Sequence, residues 1–366
     1  MGRVVGIDLG TTYSAVAVLG DDGLPEILKN ADGEPTTPSV VLFQSFDGKD
    51  EPLVGTMAKH SAASDPDNVV QFVKRQMGNP DWRFDSDSGV SYSAEEVSSL
   101  IIKKLLQDAE QALGEEVCGA VITVPAYFDD ARRTATKQAG VIAGTKVLRV
   151  LNEPTAAALS FGLDTEKNGV TLVYDLGGGT FDVTLLKIED GCFTVIGTDG
   201  DRNLGGFDFD NALMSFVAEE LSKQGAGNVL EDYLISAELR EKCEMVKRTL
   251  SNVAKANLHI SKDGKPYRVT ITREDFERAS RSLLNRTQEL VEDVLEDTGY
   301  SWGQIDHVVL VGGSTRMPMV HKLIEDISGM KPELGVNPDE AVAMGAAVQA
   351  AIEMESSTDV AGSAEN

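Results

Sequence analysis

Two passages of this chain share one order of residues, and that repetition limits the folds open to it more than any other feature. Val4-Val5-Gly6-Ile7-Asp8-Leu9-Gly10-Thr11-Thr12-Tyr13 is an apolar strand, an aspartate, a glycine/threonine turn and the start of a second strand that alternates to Val18. Residues 170–174, then Asp175, the turn 176–180 and the strand 182–186 repeat that order. A strand interior gains nothing from Gly177-Gly178-Gly179, because glycine gives up the most backbone entropy and packs no side chain. The triplet therefore reads as a turn that brings backbone close to another group. The two aspartates stand much farther apart than any solenoid period, so the pattern is one α/β lobe duplicated.

Each half also carries a later strand-to-loop-to-helix passage, Val121-Ile122-Thr123-Val124-Pro125 in the first and Val308-Val309-Leu310-Val311-Gly312-Gly313-Ser314 in the second. Strands alternating with amphipathic helices give α/β lobes. Ser93-Ala94-Glu95-Glu96 is a capping box ahead of a helical apolar stripe, Asp129-Asp130 caps a helix reaching about Ala143, and Asn337-Pro338 opens a small-residue helix. The expected organisation is lobe I at 1–168, with core 1–35 and 117–168 around an inserted subdomain at 36–116. Lobe II follows at 169–354, with core 169–206 and 285–354 around an insert at 207–284. Residues 355–366 are small and polar and read as a disordered tail.

The formal charge of −26 over 366 residues argues against the sequence-independent attraction that nucleic acid or an anionic membrane surface requires. An anionic ligand has to be held locally. Cys118, Cys192 and Cys243 stand far apart, with no C-x-x-C spacing, so they suggest neither disulfide nor zinc and read as small buried residues in a reducing compartment. No apolar run reaches membrane-spanning length and the chain starts directly into a strand, so the expectation is a cytoplasmic protein.

Two strand-turn-strand hairpins with such turns can aim several backbone N–H groups, with the hydroxyls of Thr11, Thr12 and Thr180, into one cleft, and donors of that kind cradle phosphate oxygens without adding net charge. Asp8 and Asp175, each at a strand end beside its turn, are hard oxygen ligands suited to a hydrated magnesium ion riding on those phosphates. Either hairpin alone is a common structural turn. Their pairing is what points to a nucleotide.

Five segments carry a family resemblance. Gly6-Ile7-Asp8-Leu9-Gly10-Thr11-Thr12-Tyr13-Ser14, Val124-Pro125-Ala126-Tyr127-Phe128, Asn152-Glu153-Pro154-Thr155-Ala156-Ala157-Ala158, Asp175-Leu176-Gly177-Gly178-Gly179-Thr180-Phe181-Asp182 and Val311-Gly312-Gly313-Ser314-Thr315-Arg316-Met317-Pro318 resemble, in the same order, the signatures of the DnaK-type, 70-kilodalton heat-shock chaperone family. The resemblance spans Arg3 to about Ile352. It implies the actin-like ATPase fold, with a nucleotide cleft between the lobes, and slow ATP hydrolysis that switches the lobes between open and closed.

The same resemblance assigns roles. Asp8, Gly10, Thr11, Thr12, Tyr13 and Gly177, Gly178, Gly179, Thr180 match phosphate loops. Asp8, Asp175 and Asp182 match acids around magnesium and potassium ions and the attacking water. Lys74, which alone reads as a surface lysine, matches the lysine that reaches the γ-phosphate, and Glu153 matches a carboxylate organising metal-bound water. Glu244, Lys247, Arg248 and Ser251 share one helical face and match residues that sandwich adenosine. Gly312, Gly313, Ser314 and Arg316, with Asp339 behind, match the loop on the other side of the base, and Gly205 and Gly206 belong to a further glycine segment. Arg133, Arg149 and Asn152 fall where the family receives J-domain co-chaperones, and a nucleotide exchange factor is the other implied partner.

Three departures stand out. Phe207 occupies a position where the family commonly has an acid, which puts lobe-closure contacts there in question. The segment around Ser261 and Tyr267 is short, which bears on exchange-factor docking. No peptide-binding domain follows Ile352 in this sequence, so tight binding of peptide clients is not expected. Two other readings stay open: a small-molecule or sugar kinase of the same superfamily, with Asp129 or Asp130 as base, and an actin-like filament protein, which a charge of −26 disfavours.

Overall fold

The structure is a computed structural model that describes residues 2–163, 168–189, 192–333 and 337–363. Its first half begins with β1 (Arg3–Asp8), β2 (Tyr13–Leu19), β3 (Pro25–Leu28) and β4 (Thr37–Pro38). Next come β5 (Val41–Phe46), β6 (Lys49–Val54), α1 (Thr56–Ser61), β7 (Val69–Val70), β8 (Phe84–Asp85), β9 (Ser91–Tyr92) and α2 (Ala94–Leu113). The half closes with β10 (Val117–Val124), α3 (Asp130–Ile142), β11 (Val147–Asn152) and α4 (Glu153–Leu163). The main sheet has the order β11-β10-β1-β2-β3, with β4 on β2. β1 is parallel to β10 and antiparallel to β2. Both faces of β1 and β10 are covered, which is why their apolar residues run on rather than alternate.

The second half repeats the plan with β12 (Gly169–Leu176), β13 (Phe181–Glu189), β14 (Cys192–Asp201), α5 (Gly206–Lys223), α6 (Tyr233–Asn252), β15 (Lys255–Lys262), β16 (Lys265–Thr272), α7 (Arg273–Ala279), α8 (Arg281–Thr298), β17 (His307–Val311), α9 (Pro318–Ser328) and α10 (Ala341–Ser363). Its sheet runs β14-β13-β12-β17, with β12 antiparallel to β13 and parallel to β17. That is the arrangement β3-β2-β1-β10 over again.

The halves exchange helices. α10 lies on β1 and β2, where Ala343 and Ala347 pack with Ala15 and Ala17. α4 brings Ala156, Ala157, Ala158 and Phe161 against Val173, Leu186 and Ile188 of the second sheet. Where the two helices cross, a Cβ at Gly345 would lie 1.7 Å from the Ala156 carbonyl oxygen, so only glycine permits the approach.

Helix starts follow the sequence. Ser93 and Glu96 form a reciprocal capping box, and Asp129 accepts from the Arg132 N–H to cap α3. Asn337 caps a turn that leads into α10. Two expectations need correction. α10 continues through Ser363 rather than ending in a tail at 355, because no glycine or proline interrupts the run from Ala346 to Val360 and the Gln349 side chain bonds Glu353 one turn on. Residues 364–366 lie outside the described residues. Of the three cysteines only Cys243 is buried; Cys118 and Cys192 are exposed because they sit on outward positions of strands. Among the described residues no helix is long and apolar enough to cross a membrane.

Candidate functional site

The two glycine/threonine turns face each other. A Cβ at Gly178 would sit 1.9 Å from Thr12 Oγ1, and one at Gly179 would sit 2.3 Å from Thr11 Cγ2. The triple glycine is thus the space into which the other half's threonines fit. On the far side, α5 begins against the same turn: the N–H of Gly206 donates to the Gly177 carbonyl at 3.0 Å and that of Phe207 to the Gly178 carbonyl at 2.8 Å. Ser314 Oγ donates to the Gly177 carbonyl at 2.9 Å. Above the turns opens a cleft of about 950 Å³.

Carboxylates gather at its base. Asp8 ends β1, Glu153 opens α4, and Asp175 and Asp182 are directly opposed partners in the β12–β13 ladder. Like charges placed opposite each other in a sheet repel, so this register is costly unless a cation lies near. Asp182 is 1% exposed, and neither of its carboxylate oxygens has a hydrogen-bond partner. One buried ammonium serves the group: Lys74 Nζ lies 2.5 Å from Glu153 Oε1. Burial, then the charge of Glu153, pushes Asp8 up to about 7, against the pull of Lys74 and of the Thr123 hydroxyl at 3.2 Å. Burial and then Glu153 also push Asp175 and Asp182 well above the usual carboxylate range. Burial alone would lower Lys74, but Glu153, Asp8 and Asp175 outweigh it and hold its pKa above the ordinary value.

The wall from the second half is α6. Glu244 receives Lys59 Nζ at 2.7 Å and Arg248 Nη2 at 2.8 Å, while the Tyr13 hydroxyl donates to it at 3.3 Å. Lys59 and Arg248 both lie over the Tyr13 ring, 4.7 and 4.9 Å from its centre. Burial would raise the Glu244 pKa, but Lys59 and Arg248 bring it below the ordinary value. Ser251 lines the cleft, whereas Lys247 turns toward α5, bonding the Gly206 carbonyl at 2.9 Å and Asp210 at 2.8 Å. Opposite, Gly312 turns at φ 83, Gly313 lies against Asp339, and Arg316 Nε donates to Asp339 at 2.7 Å.

Gly10, Thr11, Thr12, Tyr13, Gly177, Gly178, Thr180, Gly206, the four α6 residues, Gly312, Gly313, Ser314 and Arg316 all border the cleft, as do Asp8, Lys74, Glu153, Asp175 and Asp339. Gly179, Gly205 and Asp182 lie behind its surface: Gly205 backs onto the Gly179 N–H and Asp182 sits under Asp175 in the ladder. Arg133 and Arg149 lie away from it. Arg133 donates to the Phe128 and Ala126 carbonyls, and Arg149 pairs with Glu353 at 2.9 Å. Asn152 ends β11, one residue before Glu153, with its Oδ1 buried and unbonded.

Sequence reasoning did not single out Lys59, Tyr127, Phe72, Arg75 or Arg240. Burial, followed by the charges of Asp182 and Glu153, pushes the Tyr127 phenol upward. Only the quoted Val124–Phe128 segment could have drawn attention to it.

A family model described as Hsp70 protein matches residues 4–361 of this sequence. The chain belongs to the Hsp70 family. Its α/β structure is therefore the actin-like ATPase fold of an Hsp70-type chaperone, a fold that binds nucleotide. Hsp70 proteins are ATPases that generally work with J-domain co-chaperones and nucleotide exchange factors.

Proposed function

We propose that this Hsp70 chain is a magnesium-dependent ATPase of the DnaK type, in which ATP and ADP switch the lobes between closed and open. The observation that carries this reading is the packing of Thr11 and Thr12 onto Gly178 and Gly179 directly above the opposed Asp175–Asp182 pair. Phosphate donors and acids for a cation thus meet at one place.

The donor set fits magnesium. All candidate ligands are hard oxygens, and Asp182 carries two buried oxygens without partners. Among the described residues no three acid, histidine or cysteine side chains form a ready-made metal cage. Hard carboxylate oxygens suit an ion that keeps several waters and rides on phosphates. Asp8, Asp175 and Asp182 would hold magnesium and, beside it, potassium. A bound magnesium ion offsets charge on the phosphates.

The chain's own residues do the rest. Backbone N–H groups of the two turns, with Thr11, Thr12 and Thr180, orient the triphosphate. Lys74 faces the charge on the transferring group, and Glu153, Thr180 and Asp182 orient the water that attacks it. Phosphoryl transfer of this kind asks the protein for positioning and charge stabilisation, and preorganised geometry alone supplies roughly 7–11 kcal/mol. Glu244, Arg248 and Ser251 receive the adenosine against the Gly312–Arg316 loop, while Lys247 fixes the start of α5. Arg133, Arg149 and Asn152 are the surface for a J-domain co-chaperone, which would have to take Arg149 from Glu353. The three cysteines are free thiols, which fits a cytoplasmic compartment.

Asp129 caps α3 and pairs with Arg132 at 2.9 Å, so it is engaged as structure and disfavours a sugar-kinase base. Phosphate release from ATP tests the reading. It should require magnesium, stop with a chelator and ignore added sugars; release that depends on a sugar would contradict it. Lys74→Ala should keep ATP binding while lowering single-turnover hydrolysis by about a hundredfold or more. An unchanged single-turnover rate would remove Lys74 from the mechanism.

A further inference from the structure

Phe207, where the family commonly has an acid, makes an aromatic contact between the two halves. Its ring centre lies 4.3 Å from that of Phe72 in the first half, at an interplanar angle of 52°. Two guanidinium groups bracket the same ring: Arg75 from the first half at 5.3 Å and Arg240 on α6 at 4.7 Å. Arg75 also reaches across, donating to the Gly179 carbonyl at 2.6 and 3.1 Å and to Asp208 at 2.8 Å. Arg240 is braced by the Asn211 side chain at 2.6 Å. Phe72 holds its ring there from a left-handed backbone, φ 59, a conformation that bulky residues avoid unless the surroundings impose it. The short turn Val73–Gln76 follows at once and carries Lys74.

We propose that Phe72 and Phe207, with Arg75 and Arg240, form a latch that fastens the Lys74 turn to the glycine turn of the other half and governs how long nucleotide is held. Phe207 is a positioning residue in this account, since it acts through the Lys74 turn. The proposal rests on the ATPase reading for its effect on nucleotide, whereas the latch itself is a property of the free protein. Tilted aromatic pairs and cation–π contacts keep their strength in salt better than an exposed ion pair does.

The test uses Phe207→Ala, Phe72→Gly, their double variant and Phe207→Tyr; glycine at 72 keeps the left-handed backbone while removing the ring. Hydrogen exchange of residues 73–77 is measured in the nucleotide-free proteins, and release of fluorescent ADP is measured by stopped flow. Each single loss of a ring should speed exchange and ADP release by about tenfold, the most a contact of this kind supplies. The double variant should be no faster than the singles, and tyrosine should restore the native values. Unchanged exchange in the single variants, or a double variant that multiplies their effects, overturns the latch. Native protein that binds no ADP while exchange at 73–77 still responds would overturn the ATPase reading and leave the latch standing.

Discussion

Asp175 and Asp182 are opposed in one ladder, buried, and accompanied by Asp8 and Glu153, with Lys74 the one buried cation in contact among the described residues. A buried carboxylate without a partner costs free energy that a neutral side chain of the same shape does not. Asp182→Asn should therefore raise the melting temperature of the nucleotide-free protein by roughly 2 °C or more while abolishing hydrolysis, as read by thermal unfolding and phosphate release. A lower melting temperature would mean that the carboxylate is compensated in the free protein. The Asp8 pKa of about 7 gives a pH dependence of definite sign. Below the ordinary aspartate value, both folded and unfolded chains carry the proton. Between about 4 and 7 the unfolded chain loses it while the folded chain keeps it, so this group's contribution to stability falls as pH rises through that window and levels off above it. Denaturant titrations across that window, with Asp8→Asn as control, check this; the control should lose that part of the slope. Lys74 shows why such a site is only partly legible. Nothing within residues 70–78 signals that its ammonium is buried, because the acids around it arrive from positions 8, 153 and 175.

At the scale of elements, strong local signals were readable and short elements were not. Ser93, Glu96 and Asp129 announce their helices by side-chain chemistry that acts within three residues. α1 spans six residues and Val73–Gln76 four, too short to show a helical period, and these carry Lys59, Lys74 and Arg75. The extension of α10 past residue 355 was missed because its serines and acids read as solvated coil, while the absence of a stop signal lets the alanine-rich helix run on. Gly345 offers a test of how α4 and α10 meet. In an ordinary exposed helix interior, glycine to alanine stabilises by about 1 kcal/mol. Here the new methyl would meet the Ala156 backbone, so Gly345→Ala should destabilise, by about 1–3 kcal/mol in chemical unfolding. A stabilised variant would mean that the helices are free to move apart.

For the whole molecule, the repeated Asp-and-turn pattern made the duplication legible, since one fold unit written twice leaves two copies of its turn. The exchange of α4 and α10 between the sheets was not legible, because both helices are runs of alanine and other small residues that fit either face. That exchange ties the halves together at the base of the cleft, while Lys59–Glu244 and the Phe72–Phe207 contact join them farther up. On the proposed ATPase reading, nucleotide held between these ties would touch both halves at once, which is the geometry a switch needs. The measurement that reaches this most directly is calorimetric titration of the folded protein with ATP, with magnesium and with a chelator. Saturable binding of one ATP per chain that weakens sharply on chelation is the expected result, and the absence of saturable heat in the presence of magnesium would contradict the account.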